Sequence, residues 1–147
     1  RRFSGHVHNN SKFLSARVAE TLGLHYQITW PKRELESGRG LRKSPLYLTH
    51  YQQNACFGSK FGWERVNFYV PTDKIPIEQK NIDKTNGISM IPYSYGRQWW
   101  FDLVGNEHNN CRNNVNLFDI TSFSKILIQG KDALNLLQEL CVNNIDT

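Results

Sequence analysis

Gly38-Arg39-Gly40 has the opening spacing of a glycine-rich phosphate turn, but Leu41 and Arg42 follow it and no third glycine completes the pattern, so no phosphate cradle is expected. His6 and His8 place two imidazoles two residues apart. No further ligand is close in sequence, so two solvated loop histidines are expected rather than a metal site. Glu64 and Arg65, beside Trp63, are a candidate buried ion pair with aromatic cover, an arrangement more often architectural than catalytic. Two aromatic stretches offer ring faces: Phe61, Trp63, Phe68 and Tyr69, then Tyr93, Tyr95, Trp99, Trp100 and Phe101. They suit either the stacking of a planar heterocycle or an ordinary core. Cys56, Cys111 and Cys141 are odd in number and far apart, which excludes a metal knuckle or redox pair and leaves reduced, mostly buried thiols. Neither a nucleophile elbow nor a zincin helix is present, so no catalytic residue and no metal ligand is assigned.

The elements that must position these groups are mixed helix and strand. Asn10 or Ser11 can cap a helix from about Ser11 to Leu22, with Gly23 as its stop. Tyr26 to Trp30 alternates like a short strand ended by Pro31. Ser44-Pro45 reads as N-cap and first turn of a helix over Leu46 to Gln53. Residues 72–92 are polar, with Pro76 and Pro92, and read as an exposed loop. A polar helix is expected over Glu107 to Val115, with Val104, His108, Cys111 and Val115 along one stripe. Ile126 to Ile128 reads as a buried strand. After Gly130, Asp132 caps a helix whose apolar face is Ala133, Leu136, Leu137, Leu140 and Cys141.

The chain has 147 residues, 39% hydrophobic and 12% aromatic, so it is a folded α+β chain, not a disordered one. Its net charge of +5 would suit a polyanion, but the densest basic cluster is only Arg39, Arg42 and Lys43, and no nucleic-acid motif accompanies it. No apolar run is long enough for a membrane-spanning helix, and no secretory signal is present. With Arg1 first and Thr147 last, just after a helical pattern, the chain reads as an excerpt of something longer.

Three stretches together resemble one family: 39–47 (Arg39-Gly40-Leu41-Arg42-Lys43-Ser44-Pro45-Leu46-Tyr47), 55–68 with its Gly62-Trp63-Glu64-Arg65 block, and 94–101 continuing to Val115-Asn116-Leu117-Phe118-Asp119-Ile120-Thr121-Ser122-Phe123-Ser124-Lys125. The chain resembles the dimethylglycine and sarcosine dehydrogenase family. The resemblance implies a flavin-dependent amine oxidoreductase fused to a domain like the glycine-cleavage aminomethyltransferase. It assigns residues 1–34 to the tail of the flavin domain, 35–92 to a linker domain, and 93–147 to the start of the folate-binding domain. It implies FAD and tetrahydrofolate in the parent protein, neither held fully by this segment, which alone would be inactive. The implied substrate is a small N-methyl amino acid, and the implied partners are the remaining parts of the parent chain, with no nucleic acid and no membrane. The compartment would be cytoplasmic in a bacterium and the mitochondrial matrix in a eukaryote. By the same resemblance Phe123, Leu140 and Asn143 are candidate folate contacts; a core role for Phe123 stands beside this. Asn144 occupies a position where many relatives have Asp. Two other readings stay open: a non-catalytic relative like the regulatory subunit of pyruvate dehydrogenase phosphatase, and a small basic binding module.

Overall fold

The computed structural model describes residues 9–77 and 87–146. His6 and His8, and much of the expected loop at 72–92, lie outside the described residues. Helix α1 spans Ser11–Leu24 and α2 Tyr47–Gln52; strands β1 (Ala55–Lys60) and β2 (Trp63–Tyr69) follow, then α3 (Phe101–Asn113) and α4 (Ala133–Leu140). The architecture is α+β, organised around one antiparallel hairpin.

The hairpin is local in origin. Asn54 ends the approach from α2 in the left-handed region (φ 57°), a conformation Asn tolerates better than most residues. Phe61 and Gly62 form the two-residue connection, both at positive φ (49° and 79°), which matches the twist of the flanking strands. The register pairs Cys56 with Phe68 but Phe57 with Val66, so Asn67 is the extra residue of a bulge. Side chains alternate across the two faces. On one, Cys56, Phe68 and Val70 pack with Met90 and Leu103. On the other, Ala55 and Phe57 pack with Tyr47 of α2. Phe68 is the centre of the larger cluster: Trp100 stacks on it at 5.4 Å and Trp99 meets it edge-on at 5.8 Å. The Trp99 indole N–H donates to the Met90 carbonyl at 3.1 Å, so this half-buried ring has its polar atom satisfied.

Several sequence expectations need correction. Tyr26 to Trp30 is not a strand; no strand among the described residues pairs with it, and Tyr26 and Ile28 are exposed. Helix α1 runs through Gly23 to Leu24, because nothing near Gly23 requires a left-handed stop. Ser44 does not cap α2; the helix begins two residues later than expected, with Leu46 in the cap position. Helix α3 starts at Phe101, well before Glu107, and its buried residue is Leu103, while Cys111 and Val115 are exposed. Ile126 to Ile128 is not a buried strand: Ile126 and Leu127 are 81% and 80% exposed, since no described strand pairs with them. Of the cysteines only Cys56 is buried, with its thiol pKa pushed by burial up to about 12; Cys111 and Cys141 are exposed.

Beyond α3 the chain carries Leu117, Phe118, Ile120, Ile126, Leu127, Leu136 and Leu140 on its surface. So many large apolar side chains exposed on one segment are normally covered in a stable protein. Expressed alone, the 147 residues are expected to bind a hydrophobic dye and to melt without a sharp cooperative transition, as read by dye fluorescence and calorimetry. In the full-length protein, Phe68→Ala should cost about 3–5 kcal/mol, measured by denaturant unfolding, because it empties the centre of the larger cluster.

Candidate functional site

Two constellations of polar side chains stand out, and both use the hairpin as their platform. The first is buried. Arg39 Nε donates to both carboxylate oxygens of Glu64 at 3.0 and 3.1 Å, and Nη2 donates to Oε2 at 2.5 Å. The same Nη2 also reaches the Phe57 carbonyl at 3.0 Å. Gly40, held at φ 75°, turns its backbone N–H onto Glu64 Oε1 at 2.6 Å. The Glu64 side chain is only 3% exposed and that of Arg39 10%. Burial opposes the charge on Arg39, but the hydrogen bonds and the charge of Glu64 outweigh it and raise its pKa. A buried ion pair was therefore expected at Glu64, but its partner is Arg39, not Arg65. Adjacent residues of a strand point to opposite faces, so Arg65 is turned away. Its guanidinium lies 5.1 Å from the centre of the Phe123 ring instead. The basic cluster likewise dissolves into contacts: Arg42 covers Trp63 at 5.8 Å, and Lys43 covers Tyr47 at 4.3 Å.

The second constellation lines a cleft of about 710 Å³ between β2, the C-terminal half of α3 and residues 116–122. Asp119 Oδ2 lies 3.2 Å from His50 Nε2, and His50 Nδ1 lies 2.8 Å from the Tyr69 hydroxyl. Asp119 also accepts from the Thr121 N–H at 3.0 Å and from the Ser44 hydroxyl. Burial would raise the Asp119 pKa, but the bonds from Ser44, Thr121 and His50 outweigh that and hold the carboxyl well below the usual range. Asp119 is thus an acceptor only, so His50 Nε2 carries the proton toward it. In the neutral imidazole Nδ1 then accepts from Tyr69. Burial, then the charges of Glu107 and Asp119, push the Tyr69 phenol up, so it stays a donor. Glu107 Oε1 accepts the Tyr69 backbone N–H at 2.7 Å, yet burial keeps its pKa raised. The arrangement holds three segments together by directed hydrogen bonds. It contains no activated nucleophile.

The candidate folate contacts are not gathered into this cleft. Phe123 is 55% exposed, with the Arg65 guanidinium over its ring; Leu140 is exposed at the end of α4, and Asn143 is exposed just beyond. These three do not by themselves enclose a pterin. The Gly40 N–H of the incomplete glycine turn is given to Glu64. Among the described residues, no group of three His, Cys, Asp or Glu could hold a metal, and no helix is long and apolar enough to cross a membrane. The sequence carried no sign of a role for His50, and offered Tyr69 only as a ring face and Glu107 only as a helix start. Asp119 two residues before Thr121 was a local signal for a side-chain-capped turn, but its partners His50 and Tyr69 are distant in sequence.

The two carboxyls of this cleft should have opposite effects on stability. Asp119 has a depressed folded pKa, so its contribution is full above the ordinary Asp value and is lost as pH falls through the folded one. Asp119→Asn should lower Tm at pH 7, with the gap to the parent protein narrowing in acid. Glu107 has a raised pKa, so its contribution is full below the ordinary Glu value and is lost as pH rises. Glu107→Gln should therefore raise Tm at pH 7 and change little below about pH 4. Melting curves of the full-length protein and both variants across pH test this pair.

Comparison with known proteins gives the cleft and the ion pair a context. Residues 1–44 match the FAD dependent oxidoreductase central domain, and residues 46–147 match the GCVT N-terminal domain. The chain is 39% identical over 99% of its length to 4-methylaminobutanoate oxidase (formaldehyde-forming) of Paenarthrobacter nicotinovorans, covering 16% of that protein. It is 33% identical over 97% of its length to the mitochondrial pyruvate dehydrogenase phosphatase regulatory subunit of Mus musculus, covering 15% of it. It is 26% identical over 90% of its length to human mitochondrial sarcosine dehydrogenase, covering 16% of it. The chain thus spans about a sixth of the length of these relatives. With an FAD dependent oxidoreductase central domain matched over residues 1–44 and a GCVT N-terminal domain over residues 46–147, this chain belongs to the GCVT N-terminal domain family over most of its length and spans the junction between the two domain types.

Proposed function

We propose that the whole protein is an FAD-dependent dehydrogenase that oxidises the N-methyl group of a small amino acid and delivers the one-carbon unit to tetrahydrofolate in its second half. The observation that carries this reading is the 39% identity over 99% of the chain to a formaldehyde-forming methylamino-acid oxidase. Dimethylglycine, sarcosine and 4-methylaminobutanoate share one chemistry, a methylated amine with a carboxylate attached. In this reading the flavin-side half closes at about residue 44 and the folate-side half opens at residue 46, the bounds of the two family matches. Phe123, Leu140 and Asn143 are kept as folate contacts on the family resemblance. They are exposed here, available to a pocket that further chain would complete. The apolar surface from Leu117 to Leu140 is the face on which that further chain would pack. This reading places the chemistry in the parent protein and gives this segment the joining of its halves.

A second reading rests on its own observation, the 33% identity over 97% of the chain to a phosphatase regulatory subunit. There the same layout would serve binding rather than oxidation.

The test is the visible spectrum of the full-length protein from its source. A yellow protein bleached by sarcosine, dimethylglycine or 4-methylaminobutanoate under anaerobic conditions is expected. A colourless protein indifferent to all three would remove the oxidoreductase reading in favour of the regulatory one.

A further inference from the structure

We propose that the β1–β2 hairpin is the docking platform on which the oxidoreductase-type half is fastened to the aminomethyltransferase-type half, with Arg39 and Glu64 as the latch, so that the two halves open as one unit. The two family matches meet at residues 44 and 46. A junction between independently moving domains is polar, flexible and crossed by few contacts. This one is crossed by several directed hydrogen bonds, most of them onto the hairpin. From the upstream side, Arg17 Nη2 donates to Ser59 Oγ at 2.7 Å near the hairpin's tip. The Arg42 N–H donates to the Gly62 carbonyl at 2.8 Å, and the Glu64 N–H donates to the Arg42 carbonyl at 2.9 Å, a parallel bridge that adds backbone to the hairpin's edge. The Glu34 N–H donates to the Tyr93 hydroxyl at 3.1 Å.

Among these contacts Arg39–Glu64 differs in kind. It is buried, forked and joined by a backbone N–H, so both Glu64 oxygens are bonded from the upstream side only while the halves are together. Separating them would strand the Glu64 carboxylate in a site built to exclude water, which makes the latch cooperative rather than graded. Arg97–Asp102 is a useful contrast, with both side chains more than half exposed and both on the downstream side. The inference does not depend on whether the whole protein is an oxidoreductase, since the regulatory-subunit relative aligns across the same junction.

The experiment uses the full-length protein and its Arg39→Ala, Arg39→Lys and Arg97→Ala variants, followed by calorimetry and by trypsin cleavage in residues 32–43. The parent protein and Arg97→Ala should melt in one transition and resist cleavage. Arg39→Ala should split the melt into two transitions. Arg39→Lys keeps the charge but loses the fork, and should retain the fold while cleavage rises about tenfold, because proteolysis follows the population of the open junction. Two transitions in the parent protein would overturn the proposal. So would an Arg39→Lys variant cut no faster than Arg97→Ala. Should Arg39→Ala fail to accumulate, the Arg39→Lys comparison decides by itself. Because neither readout uses flavin, folate or turnover, this result stands or falls separately from the oxidoreductase reading.

Discussion

The Glu64 carboxylate is the constraint around which the rest of the structure is arranged. A charge this deeply buried is tolerated only when its oxygens are fully bonded to a partner of opposite charge. That requirement dictates the path of the upstream chain. Arg39 must arrive with its guanidinium edge in the plane of the carboxylate, and Gly40 must take positive φ to bring its N–H to the same oxygen. Residues 36–38 are set in turn from α1, where Glu20 accepts the N–H groups of Glu36 and Ser37 at 2.7 and 2.9 Å. A run that looks like a flexible linker is thus held at several points by specific hydrogen bonds.

The hairpin serves both constellations because a strand has two faces and two edges. Glu64 faces the latch while its neighbour Arg65 reaches Phe123. Tyr69, one position beyond Phe68, faces His50 while Phe68 faces the tryptophans. The bulge at Asn67 lets one strand supply Val66 and Tyr69 to the smaller cluster and Phe68 to the larger. Seven residues of one strand thereby connect the latch, both cores and the hydrogen-bonded cleft.

Elements with local causes were legible in the sequence. Asn10 caps α1 through its side chain, accepting the Phe13 N–H at 2.9 Å, as its type and position foretold. Helix α4 begins just after Asp132 as expected, although Asp132 makes no side-chain capping bond and the helix stops at Leu140, leaving Cys141 outside it. Elements whose form depends on a distant partner were misread. Ile126 to Ile128 has the composition of a strand, but a strand exists only by pairing, and no partner is described beside it. The hairpin itself hid behind its aromatics, because its turn is Phe61-Gly62 rather than a pair such as Asn-Gly.

The family was carried by contiguous blocks such as Gly62-Trp63-Glu64-Arg65, and contiguity is the one relation a sequence displays directly. Capping, turn-forming and helical spacing are also short-range, so they too are properties of the sequence alone. The pairing of charges is not. Nothing in the order of residues distinguishes Arg65 from Arg39 as the partner of Glu64, one adjacent and the other 25 positions away. Only the folded hairpin, which turns neighbouring side chains to opposite faces, settled that choice, and the same geometry brought Asp119 to His50 across 69 positions.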